Sequence, residues 1–89
     1  MSHILEKEAK MLVDAGSIKR ALVVNADLES GYQILLFKKA DKSNQISNFD
    51  YQIARQRGGT RVFKTLDAAA ACIASLGIVG FDVSVRAPS

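Results

Sequence analysis

Hydrophobic and polar residues recur along this chain with two periods, and the change from one to the other marks the predicted elements. Apolar residues spaced by three and four over residues 2–15 predict a first helix, which Ser2 caps and a glycine ends. Residues 18–25 and 32–39 are rich in β-forming side chains and predict two strands. A turn at 27–31 joins them into a hairpin.

The second half of the chain continues with short elements. Gly58 and Gly59 suit a tight hairpin turn because glycine tolerates positive φ angles. Thr65 suits the N-cap of an alanine-rich helix that ends at Gly77. Strands are predicted on either side of the turn and at the end of the chain, over residues 49–54, 61–64 and 81–85.

These elements follow one another in the order α-β-β-β-β-α-β. The order predicts an α+β fold, a small two-layer sandwich in which an antiparallel sheet carries two helices on one face. The polar stretch 40–48 is expected to be an exposed loop. With 89 residues, 48% apolar and 24% charged, the chain has the size and composition of a single globular domain spanning residues 1–89.

The second strand is apolar on both of its faces. Ile34 and Leu36 fall on one face, and Leu35 and Phe37 on the other. Two interpretations stay open: the strand is covered on both sides within the core, or Tyr32, Leu35 and Phe37 form an interface, for example in a homodimer.

Composition excludes several classes of function. One cysteine and one histidine permit neither an internal disulfide nor a zinc site, and no nucleophile has a base other than His3 near it in the pattern. The carboxylates are scattered, so neither a metal nor a cofactor is expected. The protein is not expected to be an enzyme. Cys72 is expected to be a small buried side chain. We find no signal peptide and no membrane span in the pattern, which predicts a cytoplasmic protein.

Four cations lie within ten residues around the double glycine: Arg55, Arg57, Arg61 and Lys64. Guanidinium groups on one hairpin suit phosphate oxygens or carboxylates, which they bind in bidentate fashion. The alternative is that the charges only keep a hairpin tip soluble. A net charge of +3 permits a contact with nucleic acid or with an acidic protein and demands neither.

The segment from Arg55 to Val85 resembles the ParC family, small partition-associated proteins found on bacterial plasmids and integrating elements. The resemblance rests on Arg-Gln-Arg-Gly, then Arg-Val-Phe-Lys-Thr-Leu-Asp-Ala-Ala-Ala, then Leu-Gly-Ile and Phe-Asp-Val-Ser-Val. It implies a non-enzymatic accessory factor that acts beside a ParA-type ATPase and a centromere-binding ParB-type protein. It transfers no catalytic residue. The matching residues expected to make contacts are Arg55, Arg57, Arg61, Lys64 and Asp67.

Three hypotheses therefore stand. The first is a small adaptor of a mobile element that binds a protein partner, and the second is a nucleic-acid-binding module built on Arg55, Arg57 and Arg61. The third is a small inhibitor of a host defence system, which nothing in the residues separates from the first. Salt separates the first two, because binding to phosphates weakens steeply as salt rises.

Overall fold

A computed structural model describes residues 2–26, 29–39 and 49–85. Two helices, α1 (Glu6–Asp14) and α2 (Leu66–Ser75), accompany five strands. The strands are β1 (Ser2–Ile4), β2 (Arg20–Asn25), β3 (Tyr32–Phe37), β4 (Tyr51–Ile53) and β5 (Asp82–Ser84). They form one sheet in the order β1-β4-β3-β2-β5. The predicted α+β class and element order are confirmed, with a short strand added at the start; the loop predicted over 40–48 lies outside the described residues.

The first strand occupies positions where the sequence predicts the start of a helix. Ile4 pairs with Ile53 of β4 and is buried. Strand pairing and burial therefore stabilise this segment more than an additional turn of helix would. Helix α1 therefore begins later, with Leu5 at its N-cap, and the backbone N–H of Leu5 donates to Glu8 Oε1 at 3.0 Å. The prediction that Ser2 caps the helix is wrong.

The sheet is mixed, whereas the pattern predicts a purely antiparallel one. Strand β3 runs antiparallel to β2 and to β4, but β1 is parallel to β4 and β5 is parallel to β2. The cause is the two helical connections, β1-α1-β2 and β4-α2-β5. A helix between two strands of one sheet carries the chain back to the end where the first strand began, so the strands it joins run parallel.

The predicted return strand at 61–64 is reduced to two isolated bridges. Thr60 lies opposite Ala54 beside β4, while Phe63 lies opposite Tyr32 on β3. Phe63 and Tyr32 exchange two backbone hydrogen bonds of 2.8 Å. The chain thus changes its partner strand within three residues, which leaves no room for a continuous ladder.

Both helices pack on one face of the sheet, as the pattern predicts. The buried residues on this face come from α1, α2 and four strands: Ile4, Ala9, Ala21, Val23, Ile34, Leu36, Ile53, Ala69, Cys72 and Ile73, with Ile18, Phe63 and Leu76 from the connections. Alternation along β2 and β3 points the intervening side chains to the opposite face. That second face holds a smaller cluster formed by Leu22, Val24, Leu35 and Phe37, against which Phe49 packs.

This second cluster decides between the two interpretations of β3. Leu35 is 1% exposed and Phe37 is 0% exposed. Both are core side chains of the chain itself, because the pleat directs them into the cluster on the second face. The interpretation that Leu35 and Phe37 form an interface is therefore wrong.

Candidate partner-binding surface

The four predicted cations lie on and around a tight turn that follows β4. Gly58 and Gly59 have φ angles of +95° and +80°, which side chains with a Cβ rarely adopt. The N–H of Arg55 donates to the carbonyl of Gly59 at 2.9 Å, and the N–H of Gly58 donates to the carbonyl of Arg55 at 3.0 Å. The double glycine therefore closes the turn as predicted and presents the side chain of Arg55 at its side.

The base of this turn is tied to the edge strand β1. The N–H of Ala54 donates to the carbonyl of Ile4 at 2.7 Å. The Thr60 hydroxyl donates to Gln52 Oε1 at 3.2 Å and lies 3.0 Å from His3 Nε2. These contacts fix the start and the end of the turn, so the cations project from a supported segment of backbone.

Two of the arginines form ion pairs with carboxylates from other elements. Arg55 Nη2 lies 2.8 Å from Glu29 Oε1, and both side chains are about half exposed. Arg61 Nη1 lies 3.6 Å from Glu6 Oε1 at the start of α1. The guanidinium of Arg61 also stacks over the Phe63 ring, 4.9 Å from its centroid, a cation–π contact that holds the side chain in place.

Arg55 and Arg61 line one cleft between the start of α1 and the segment around the turn. Its volume is ≈ 620 Å³. Lys7 of α1 also lines it, so three cations face one carboxylate, that of Glu6. Apolar surface from Leu5 and Val62 completes the lining.

A smaller cleft of ≈ 210 Å³ lies on the other side of Arg55, where Glu29 and Gln33 contribute to its wall. Arg55 and Val62 line both clefts. The Arg55–Glu29 pair therefore stands where the two clefts meet, and it orients the arginine between them.

The remaining predicted residues lie apart from the cleft. Arg57 and Lys64 are exposed, and neither forms an ion pair with any residue that the structure describes. Asp67 lies in the first turn of α2 and is exposed. Tyr32 is half-buried at the start of β3 and packs against the core on the helical face. The structure thus brings together two of the four predicted cations.

Lys7 is the residue of the cleft that the sequence pattern does not reveal. It belongs to the polar face of α1, where charged residues are expected whatever their role. Its place beside Arg55 results from the parallel pairing of β1 with β4, which brings the start of α1 next to the turn. No local signal in the sequence predicts that pairing.

Next to the cleft, Glu6 also accepts a hydrogen bond from a cysteine. Cys72 Sγ donates to Glu6 Oε1 at 2.8 Å. Burial, and then the hydrogen bond to Glu6 and its negative charge, raise the pKa of the Cys72 thiol to about 12, against a smaller lowering by Arg61. The thiol is therefore protonated at neutral pH and is a poor nucleophile.

In the part of the chain that the structure describes, no three histidine, cysteine or acidic side chains are grouped so as to hold a metal ion. Neither α1 nor α2 has the length and apolarity needed to cross a membrane. The cationic cleft brings Lys7, Arg55 and Arg61 together, and that chemistry suits an anionic group.

A comparison with protein families supports the resemblance seen over residues 55–85 and extends it to nearly the whole chain. A family model described as ParC-like matches residues 4–87. No curated protein and no solved structure matches the chain. The match includes α1, β2 and β3, which the motif does not reach. The chain therefore belongs to the ParC-like family, and this membership points to a plasmid-associated protein.

Proposed function

We propose that this protein is a non-enzymatic accessory factor of plasmid partition or maintenance, which acts in the cytoplasm by binding a protein partner. The partner we infer is a ParA-type ATPase or a centromere-binding ParB-type protein encoded with it. Family membership supports the plasmid role, and the cationic cleft carries the proposal of partner binding. Lys7, Arg55 and Arg61 would hold the acidic side chains of the partner there.

The lining of the cleft favours a peptide segment with mixed chemistry. Its cations suit aspartate or glutamate, while Leu5 and Val62 suit an apolar side chain beside them. Glu6 disfavours the binding of a uniformly negative segment, because the Glu6 carboxylate would repel each further carboxylate of the partner. We therefore expect the partner to present one or two acidic residues next to an apolar one.

Ion pairing within the chain favours a protein over nucleic acid as the partner. Arg55 and Arg61 already face Glu29 and Glu6, so a phosphate must displace a carboxylate at each of them. Few cations are then left for the phosphate contacts that give nucleic-acid binding most of its affinity. A protein partner needs fewer such contacts, because its apolar side chains can also pack against Leu5 and Val62.

Calorimetric titration of this protein against each of the two partition proteins tests the proposal. We expect binding to one of them, weakened at least about tenfold by the double variant Arg55→Ala/Arg61→Ala. The double variant Lys10→Ala/Lys39→Ala removes the same charge from exposed positions that do not line the cleft, and it should bind as the wild type does. Equal weakening by both variants would mean that only net charge matters, and the cleft would lose its role.

Folding of the variants must be intact for this comparison. The triple variant Arg55→Ala/Arg57→Ala/Arg61→Ala loses surface ion pairs that stabilise a fold by about 0.2–1 kcal/mol each. We expect an unchanged far-ultraviolet circular dichroism spectrum and a small drop in Tm. Unfolding at room temperature would show that the arginines are structural, contrary to their assignment as a binding surface.

A nucleic-acid-binding module is the second candidate, and the exposure of Arg57 and Lys64 favours it. Neither side chain forms an ion pair among the described residues, so both charges are available to phosphates. Binding to a labelled mixed-sequence duplex at low and moderate salt separates the candidates. A logarithmic slope of about −0.9 per phosphate contact would support this second function. Absence of duplex binding at low salt would eliminate it.

A further inference from the structure

Strand β5 forms an edge of the sheet and carries exposed apolar side chains. Its only strand partner in the described ranges is β2, in parallel. Phe81, Val83 and Val85 alternate along β5 and its flanks and are 37%, 47% and 40% exposed. Alternation places the three on the same face, so they form a short apolar row that solvent reaches.

Among the described residues, the strand at the opposite edge of the sheet, β1, carries no comparable row of exposed apolar side chains. On β1, Ile4 is buried, and the exposed His3 lies within hydrogen-bond distance of Thr60. Natural edge strands avoid association through short length, charged side chains, proline or bulges, and β5 has the first two, with three residues and Asp82. The segment 81–85 contains neither lysine nor proline. Its apolar row is the kind of surface that another strand covers.

Strand β5 is also fixed in position on the sheet. Three residues of β5 are in register with β2, from Leu22 opposite Asp82 to Val24 opposite Ser84. Arg20 Nε donates to Asp82 Oδ2 at 2.9 Å, and the Arg20 side chain is only 12% exposed. This partly buried ion pair ties β5 to the sheet, so a partner strand meets a formed edge with little ordering left to do.

We propose that β5 pairs with β5 of a second copy of this chain, antiparallel, about a two-fold axis at Val83. In that register Val83 faces the partner's Val83, Phe81 faces the partner's Val85, and Asp82 faces the partner's Ser84. Every apolar side chain of the row then meets an apolar one. The two sheets, each of five strands, would become one continuous sheet.

A second copy suits this edge better than an unrelated strand for two reasons. A two-fold interface requires a patch that complements itself, and the segment 81–85 has the same alternation of apolar and polar residues in both directions. The charges also agree, because the register places no like charges opposite each other and Asp82 is already paired with Arg20. The cationic cleft is not part of this edge, so the inference stands independently of the proposed function.

Sedimentation over a range of concentrations tests for the dimer. We expect the wild type to be a dimer that dissociates on dilution, and Val83→Lys to weaken it about ten- to hundredfold by burying a charge in place of an apolar side chain. Met11→Lys is the matched control, since Met11 on α1 is 65% exposed but lies outside the row. A wild type that is monomeric at every concentration overturns the proposal and leaves the edge to a different protein.

Cross-linking tests the register even if Val83→Lys fails to fold. Opposed residues of antiparallel strands have Cα atoms about 4.5–5.5 Å apart, which suits a disulfide. In a Cys72→Ala background, Val83→Cys should oxidise to a covalent dimer, and Ala71→Cys, exposed on α2, should not. Equal cross-linking at both positions, or a dimer unaffected by Val83→Lys, contradicts pairing through β5.

Discussion

At the scale of single residues, Glu6 joins three parts of the chain. Its Oε1 accepts a hydrogen bond from Cys72 of α2 and lies 3.6 Å from Arg61 Nη1, after the turn. Arg61 in turn stacks on Phe63. The carboxylate thus links the two helices to the connection that carries the cleft. The expectation that Cys72 is buried is confirmed, and its hydrogen bond to Glu6 is a contact between residues 66 positions apart that no local pattern reveals.

The raised pKa of Cys72 leads to a prediction about reactivity. We expect the thiol of the folded protein to react with a maleimide or disulfide reagent at pH 8 only as fast as the protein unfolds. In a Cys72→Ala background, Ala71→Cys places a thiol on the exposed side of α2, and it should react at the rate of a free thiol. Fast labelling of native Cys72 would show that the thiol is accessible and ionised.

The raised pKa of Cys72 also predicts that the free energy of unfolding decreases as pH rises through the alkaline range. The pKa of Cys72 is raised from 9.0 to about 12 on folding, so the unfolded chain loses this proton first as pH rises. The stabilisation is therefore complete below about pH 9 and is lost between about pH 9 and pH 12. Denaturant unfolding across this range should show a smaller decline for Cys72→Ala than for the wild type. Identical declines would contradict the shift.

At the scale of elements, α2 is the part of the fold that local signals describe best. Thr65 is its N-cap, and the Thr65 hydroxyl accepts from the N–H of Ala68 at 3.1 Å. Gly77 follows its end with a φ of +93°. Both features depend on residues within one turn of the helix, so the sequence alone is enough to predict them.

Removal of this cap should weaken α2. We expect Thr65→Ala to lower the free energy of unfolding by about 0.5–2 kcal/mol, because the N–H of Ala68 loses its acceptor. Thr65→Ser keeps the hydroxyl and should restore most of the loss. Urea unfolding of the three proteins measures the differences, and a serine variant as unstable as the alanine variant would assign the effect to the lost methyl group.

The two helical connections show what local signals leave out. From β1 to β2, and again from β4 to β5, the chain moves three strand positions in the same direction across the sheet. Both helices lie on the same face, so the two connections have the same hand. The β1-α1-β2 and β4-α2-β5 units therefore follow the same path, shifted by one strand position. Among the described strands, β3 is the one that runs antiparallel to the other four.

At the scale of the whole molecule, a buried apolar cluster lies on each face of the sheet. The second cluster holds Phe37 at 0% exposure, with the Arg20 guanidinium 5.0 Å from the centre of its ring. Arg20 also pairs with Asp82 on β5, so the cluster and the edge strand share a residue. Loss of the Phe37 side chain should therefore lower the stability of the whole fold.

This role of Phe37 can be measured. We expect Phe37→Ala to reduce the free energy of unfolding by about 3–5 kcal/mol, as for other buried aromatic residues. Leu66→Ala is the control, because Leu66 is 36% exposed and its loss should cost much less. Thermal or urea unfolding gives both values. A Phe37→Ala protein as stable as the wild type would restore the interface interpretation.

The amino-acid sequence by itself determined the elements whose signals are local. These are α2 with its cap and end, strands β2 and β3, and the double-glycine turn with its cations. Tertiary structure alone decided the parallel edges, the burial of Phe37 and the meeting of Lys7 with Arg55 in one cleft. The physical reason is distance along the chain: residues 7 and 55 meet only because β1 pairs with β4, and that pairing depends on the packing of the entire sheet.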